Sequence, residues 1–218
     1  AGNVLPLFAH ASGYGRISLC YEAEKIVTIP CDMDADFEYL TGKLSHLAKS
    51  VKRFSMCGLK EYLEWLPELT SENGFDAIVA AYLLNPLKNE YPYEDIAKDY
   101  MGQMIPSKAD LLGKLTIEQA MKDAPEAFLN YVCYMAYVAQ ASKKTLETDL
   151  KEEGMDHLFT EIEMPLVFTL ADMENEGIIA CREALTEYGD KLAVRIAELE
   201  KQIYEEAGEE FNINSPKQ

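Results

Sequence analysis

Short β-branched and aromatic runs alternate with polar residues through the first third of the chain. Val4 to Ala9, Arg16 to Tyr21 and Lys25 to Ile29 are separated by Ser12-Gly13-Tyr14-Gly15 and by Glu22-Ala23-Glu24, which predicts three consecutive strands joined by hairpins. After Pro30 the apolar period lengthens. Phe37, Leu40, Leu44 and Leu47 recur at helical spacing across Asp34 to Ser50, behind a group of acids that suits a helix N-terminus. Val51 to Met56 reads as a fourth strand, and Leu59 to Leu66 as a helix ended by Pro67.

From Phe75 onward the helical period dominates. It predicts helices over Ala77–Leu84, Tyr93–Tyr100 and Ile117–Lys122, then a long one from Pro125 to Glu153, broken by Gly154. A further helix, Met155–Asn175, contains Pro165, where a kink is expected because proline has no N–H to give. Gly177 ends it as a C-cap. In the last helix, Arg182–Ala207, the stripe Leu185, Tyr188, Leu192, Ile196, Leu199 and Ile203 could form a coiled-coil seam, but over only about three heptads it reads rather as the buried face of a helical hairpin. Asn214-Ser215-Pro216-Lys217-Gln218 reads as an N-cap with proline at the first helical position, as if a further helix begins there. Strands first and helices after predict an α/β domain over residues 1–154, followed by a helical extension over 155–218.

With 218 residues, 48% hydrophobic and 27% charged, the chain can bury a substantial core. No apolar run reaches the roughly 18 residues of a membrane span. Ala1 to Pro6 lacks the order of a secretory signal, so a cytoplasmic location is expected; Ala1 in place of Met points to a trimmed start. The five cysteines, Cys20, Cys31, Cys57, Cys133 and Cys181, form no zinc spacing, and reduced, mostly buried thiols are expected. His10, His46 and His157 are isolated and read as structural or exposed. The net charge is −18, with 20 bases against 38 acids spread along the chain. Such a chain should bind DNA weakly or not at all by itself, because phosphates must be met by Lys and Arg.

Three ordered segments carry a resemblance. Glu161-Ile162-Glu163-Met164-Pro165-Leu166 with Met173-Glu174-Asn175-Glu176-Gly177-Ile178, Ala197-Glu198-Leu199-Glu200-Lys201 with Ala207 to Gln218, and Phe75-Asp76-Ala77 with Ala80 to Pro86 are similar to family A DNA polymerases of the bacterial polymerase I type. The resemblance implies a 3′–5′ exonuclease-like domain with a ribonuclease H-like mixed sheet flanked by helices, then the connecting helix and the base of the polymerase thumb. It implies that the parent is a nucleotidyltransferase of DNA replication and repair, with Mg²⁺ at a polymerase site elsewhere and a DNA duplex and the remainder of the polymerase domain as partners. No cofactor is expected for these residues themselves.

The family's proofreading domain holds two metal ions through four carboxylates. Two hard cations about 4 Å apart activate a water and stabilise the leaving oxygen, and anionic oxygens hold them. By resemblance the first two ligand positions fall at Ala9 and Ala11, the third near Tyr62 and the fourth at Met135, while the family's tyrosine is kept as Tyr131. No carboxylate occurs between Ala1 and Tyr21. A catalytically inactive scaffold is therefore expected. The alternatives are a proofreading exonuclease with relocated ligands and an acidic module that recruits partners.

Other patterns reduce to plainer readings. Asp32-Met33-Asp34-Ala35-Asp36 alternates like a calcium loop but has Phe37 where glycine and Lys43 where glutamate belong, so it reads as an acidic helix start. Glu22 and Glu24 read as solvated turn residues. Tyr62, Tyr82, Tyr91, Tyr93, Tyr100, Tyr131, Tyr134 and Tyr137 have few basic neighbours and are expected to pack in the core instead of stacking on bases. Asn212, Asn214, Ser215 and Lys217 match the thumb segment near the duplex and are the expected phosphate contacts in the intact enzyme.

Overall fold

The alternation in the opening third builds an antiparallel sheet. The computed structural model describes residues 3–7, 15–22, 25–31 and 34–215. Its first sheet runs in the order β1 (Asn3–Leu7), β2 (Gly15–Glu22), β3 (Lys25–Cys31), with Leu5 opposite Ser18 and Ile17 opposite Ile29. The neighbours Ile17 and Ser18 are both buried, so β2 is covered on both faces. Of the residues expected to turn between these strands, Gly15 and Glu22 belong to β2, and 12–14 and 23–24 lie outside the described residues.

α1 spans Asp34–Ser50 as its period predicts. Its buried positions are Thr41, Leu44, Ser45 and Ala48, while Leu47 is exposed. The inward face is therefore rotated from the expected stripe. The polar Ser45 is inside because its hydroxyl accepts the Glu68 N–H at 2.9 Å. The fourth strand, β4, is only Phe54–Met56, because the Val51 N–H still bonds the Leu47 carbonyl and prolongs the helical turn. It pairs in parallel with β5 (Gly74–Asp76), a strand too short for alternation to reveal. β4 also lies against β1. The backbone approaches closely at Gly74, where a Cβ would meet Leu59 Cδ2 and the Thr70 carbonyl at 3.1 Å. Between β4 and β5 the expected helix is a 3₁₀ helix, Leu59–Trp65, ending before Pro67.

Helices complete the first layer of packing: α2 (Ala77–Leu84), α3 (Tyr93–Met101), α4 (Lys108–Leu112), α5 (Ile117–Asp123), α6 (Pro125–Ala141) and α7 (Lys143–Glu152). α4 was not apparent in the period, being five residues held by a Ser107/Asp110 capping box. The long helix expected from Pro125 to Glu153 is divided at Ser142, whose buried hydroxyl donates back to the Val138 carbonyl at 2.7 Å. α6 lies across β1, β2 and β4 and against α3, α4 and α5, which makes it the central element. The core around it includes Phe54, Phe75, Phe128, Leu146 and Met164, with the Phe75 and Phe159 rings 5.1 Å apart.

After Gly154 come α8 (Asp156–Leu158), a π-helical turn over Phe159–Glu163 and α9 (Met164–Glu176). Where a kink is expected at Pro165, the irregularity is a π-helical turn that ends just before Met164 and Pro165 open α9. Gly177 is left-handed, φ 70°, as its C-cap role requires.

The chain forms two compact units, residues 1–175 and 176–218, and Gly154 is a turn inside the first. The second contains α10 (Arg182–Ala207), ended by left-handed Gly208, with a short segment before it and another after it. There Tyr204 packs edge-on to Phe211 at 5.7 Å and donates to its carbonyl at 3.1 Å. The α10 stripe from Leu185 to Ile203 is exposed, which corrects the buried-hairpin expectation: among the described residues of the unit no second helix covers it. Among the described residues no helix is long and apolar enough to cross a membrane.

Candidate functional site

One left-handed glycine and one buried carboxylate fix the entry of the 3₁₀ helix that carries Tyr62. Gly58, at φ 81°, turns the chain from β4 into the 3₁₀ helix. The Asp76 carboxylate then accepts the backbone N–H of Gly58 at 3.1 Å and of Leu59 at 2.7 Å while capping α2 through the Ile78 N–H at 2.9 Å. Burial pushes the Asp76 carboxyl up from the ordinary aspartate range, and these N–H donors pull it back. The 3₁₀ helix so anchored carries Tyr62, which is buried and 6.1 Å from the Trp65 ring.

α6 supplies the facing residues. Tyr131 and Met135 are one turn apart on it and share a face. Tyr131 is buried, with its ring 5.7 Å from Tyr93 and the Lys108 ammonium 5.9 Å from its ring centre. Tyr93 in turn donates to the Pro106 carbonyl at 2.7 Å. Met135 is half-buried against the same core. Burial holds the phenols protonated: it pushes Tyr131 up to about 12 and Tyr62 further, with Glu61 adding to both. Buried Cys57 is pushed up too, first by desolvation and then by Asp76.

This donor set does not fit two hard cations. A protonated phenol is a neutral, weak oxygen donor and a thioether is a soft one, so neither supplies the anionic oxygen that two Mg²⁺ ions require. Among the described residues no three His, Cys, Asp or Glu side chains converge as a metal site. Ala9 and Ala11 lie outside the described residues, as does His10. Two acids do stand nearby. Glu61 and Glu94 both act on the Tyr131 phenol, and Glu94 Oε2 is buried without a hydrogen-bond partner.

The remaining expectations divide. Tyr62, Tyr93 and Tyr131 are core, and Tyr91, Tyr100, Tyr134 and Tyr137 pack against it, but Tyr82 is exposed, with its ring 6.1 Å from Tyr91. Of the thiols described, Cys20 and Cys57 are buried and free, Cys133 is half-buried and Cys181 exposed. His46 is a surface residue 3.7 Å from Glu68. Asn212, Asn214 and Ser215 lie together in a turn, with the Ser215 N–H on the Asn212 carbonyl at 2.9 Å and the Asn214 N–H on Asn212 Oδ1 at 3.1 Å. Lys217 lies outside the described residues, and Glu205, Glu206, Glu209 and Glu210 precede the turn. Sequence reasoning missed the bridging role of Asp76, for which the signal was an aspartate directly ahead of an apolar helix. It also missed Lys88, held by Asp95 at 3.0 Å and Asp99 at 2.6 Å.

No family model matches the chain. It is 34% identical to DNA polymerase I of Bacillus subtilis (strain 168) over 146 residues, covering 66% of this chain and 16% of that protein. It is 34% identical over 144 residues to DNA polymerase I of Geobacillus stearothermophilus, with the same coverage, and likewise to that of Streptococcus pneumoniae (strain ATCC BAA-255 / R6). The chain thus spans 16% of the length of these curated relatives. Among solved structures, its fold is similar to the POL domain of Pol1 from M. smegmatis, in complex with DNA primer-template and dNTP. The TM-score is 0.69 at 18% identity, covering 99% of this chain and 35% of that one.

Proposed function

We propose that this homologue of bacterial DNA polymerase I is a segment of a DNA-directed DNA polymerase, and that residues 1–154 are a ribonuclease H-like, exonuclease-type domain serving as a non-catalytic scaffold. The observation that carries this is the chemistry of Tyr62 and Met135, which the resemblance assigns to two carboxylate positions: one is a buried phenol and the other a half-buried thioether. A sheet of three antiparallel strands with β4 and β5 parallel beside it supports the fold assignment. A buried phenol at a ligand position stabilises the domain and cannot hold a hard cation, so the packing has been kept without the chemistry. Residues 155–218 continue as the connecting helix and thumb base. Nucleotide transfer, with its Mg²⁺ and duplex DNA, belongs to parts of the relatives that this chain does not span, and Asn212, Asn214, Ser215 and Lys217 are assigned to the duplex backbone there.

The test is calorimetry of the purified chain with Mn²⁺ and Mg²⁺, followed by an assay on a 3′-labelled single strand. Neither binding nor nucleotide release is expected. Metal-dependent release of 3′ nucleotides overturns the scaffold reading. One observation favours a second reading: Glu61 and the unpartnered Glu94 beside Tyr131 would be the relocated ligands of an active exonuclease. In that case Glu61→Gln and Glu94→Gln would each abolish the release.

A further inference from the structure

In a chain of net charge −18 with only 20 Lys and Arg, four of these bases line one cleft of the first unit. Lys52 and Arg53 come from the link between α1 and β4, and Lys143 and Lys151 from α7. The cleft has a volume of about 540 Å³, within the range of ligand sites. Glu147 and Asp156 also line it, leaving a surplus of two positive charges.

The bases differ in their engagement. Arg53 is fixed from two sides: its Nη1 donates to the Glu72 carbonyl, and its Nε lies 3.6 Å from Glu147 Oε1. Glu147 is thereby committed to Arg53. Lys52, Lys143 and Lys151 hold no ion pair among the described residues, although carboxylates outnumber bases almost twofold in the chain. Lys143, Glu147 and Lys151 share one face of α7, and the two lysines are about 12 Å apart along its axis. That length suits a row of phosphates better than a single small anion. The aromatic residue of the lining, Phe159, is buried in the core and offers no face for a base to stack on. Recognition would therefore be of the backbone alone.

We propose that this cleft binds phosphate oxyanions, and that the ligand filling its length is the phosphodiester backbone of a single nucleic-acid strand. The binding is sequence-independent, weak and strongly salt-sensitive. It does not depend on the exonuclease reading, since none of the four bases belongs to the degenerate ligand positions.

The test uses the full chain and a dye-labelled oligothymidine of about 16 nucleotides followed by fluorescence anisotropy. With three phosphates met by Lys52, Lys143 and Lys151, affinity should fall roughly 20-fold between about 50 and 200 mM salt, from a slope near −0.7 per phosphate. Lys143→Glu with Lys151→Glu should weaken binding at least about tenfold at low salt. Lys52→Glu should weaken it less, and Lys191→Glu in α10 should leave it unchanged, with thermal melts confirming that each variant folds. The proposal is overturned if wild type shows no binding at low salt, or if the double variant binds like wild type. A parallel titration with tripolyphosphate separates the sources. Tripolyphosphate binding that the double variant loses, with no oligonucleotide binding, overturns the strand assignment in favour of a free polyphosphate.

Discussion

The Asp76 carboxylate accepts the backbone N–H of Leu59, 17 residues earlier in the chain, at 2.7 Å. One side chain thus caps α2, closes the entry of the 3₁₀ helix and holds Tyr62 in the core. Replacing it leaves the N–H groups of Gly58 and Leu59 buried without an acceptor and removes a helix cap.

Asp76→Ala is accordingly expected to cost about 2–4 kcal/mol, a helix cap plus unsatisfied buried donors. Urea denaturation measures it. A loss below about 0.5 kcal/mol, the size of an ordinary surface substitution, would show that the bridge is not structural.

Tyr131 is the tyrosine that the polymerase resemblance marks as part of a proofreading site, yet here it is packed on Tyr93. Tyr131→Ala should destabilise by about 3–5 kcal/mol, as for other large aromatic truncations. Tyr131→Phe should stay within about 1 kcal/mol, since it keeps the ring contacts. Chemical denaturation of both variants checks this, and equal losses would mean that the hydroxyl, not the ring, matters.

Gly154 sits at φ 70°, and a Cβ there would meet nothing within 4 Å. The cost of Gly154→Ala is therefore conformational, not steric, and should be about 1–2 kcal/mol. A thermal melt that is unshifted would indicate that the turn between α7 and α8 rearranges freely.

The Asp110 carboxyl lies below the ordinary range because the Ser107 hydroxyl, at 2.7 Å, and the Ser107 N–H, at 2.9 Å, both donate to it. A depressed carboxylate contributes its stability above the unfolded value of about 3.9 and loses it as pH falls through the lower folded value. In an NMR titration, Asp110 should therefore show a midpoint below that value, and Ser107→Ala should raise it toward the ordinary one. An unchanged midpoint in the variant would exclude the capping box as the cause.

Local chemistry made much of this protein legible. The period of apolar residues located α1, α2 and α10 to their ends, and Gly154 and Gly177 marked breaks, because each of these depends on neighbours within one or two turns. Which residues meet was settled only by packing. β5 is three residues long and exists because β4 lies beside it; the inward face of α1 is rotated because Ser45 has a partner in Glu68; Arg53 reaches the Glu72 carbonyl and Glu147. The Asp76 bridge to Leu59 and the gathering of Lys52 and Arg53 with Lys143 and Lys151 join segments far apart in the chain. Such contacts leave no trace in a local period, since they form only when burial of the shared core around α6 closes the loops between them.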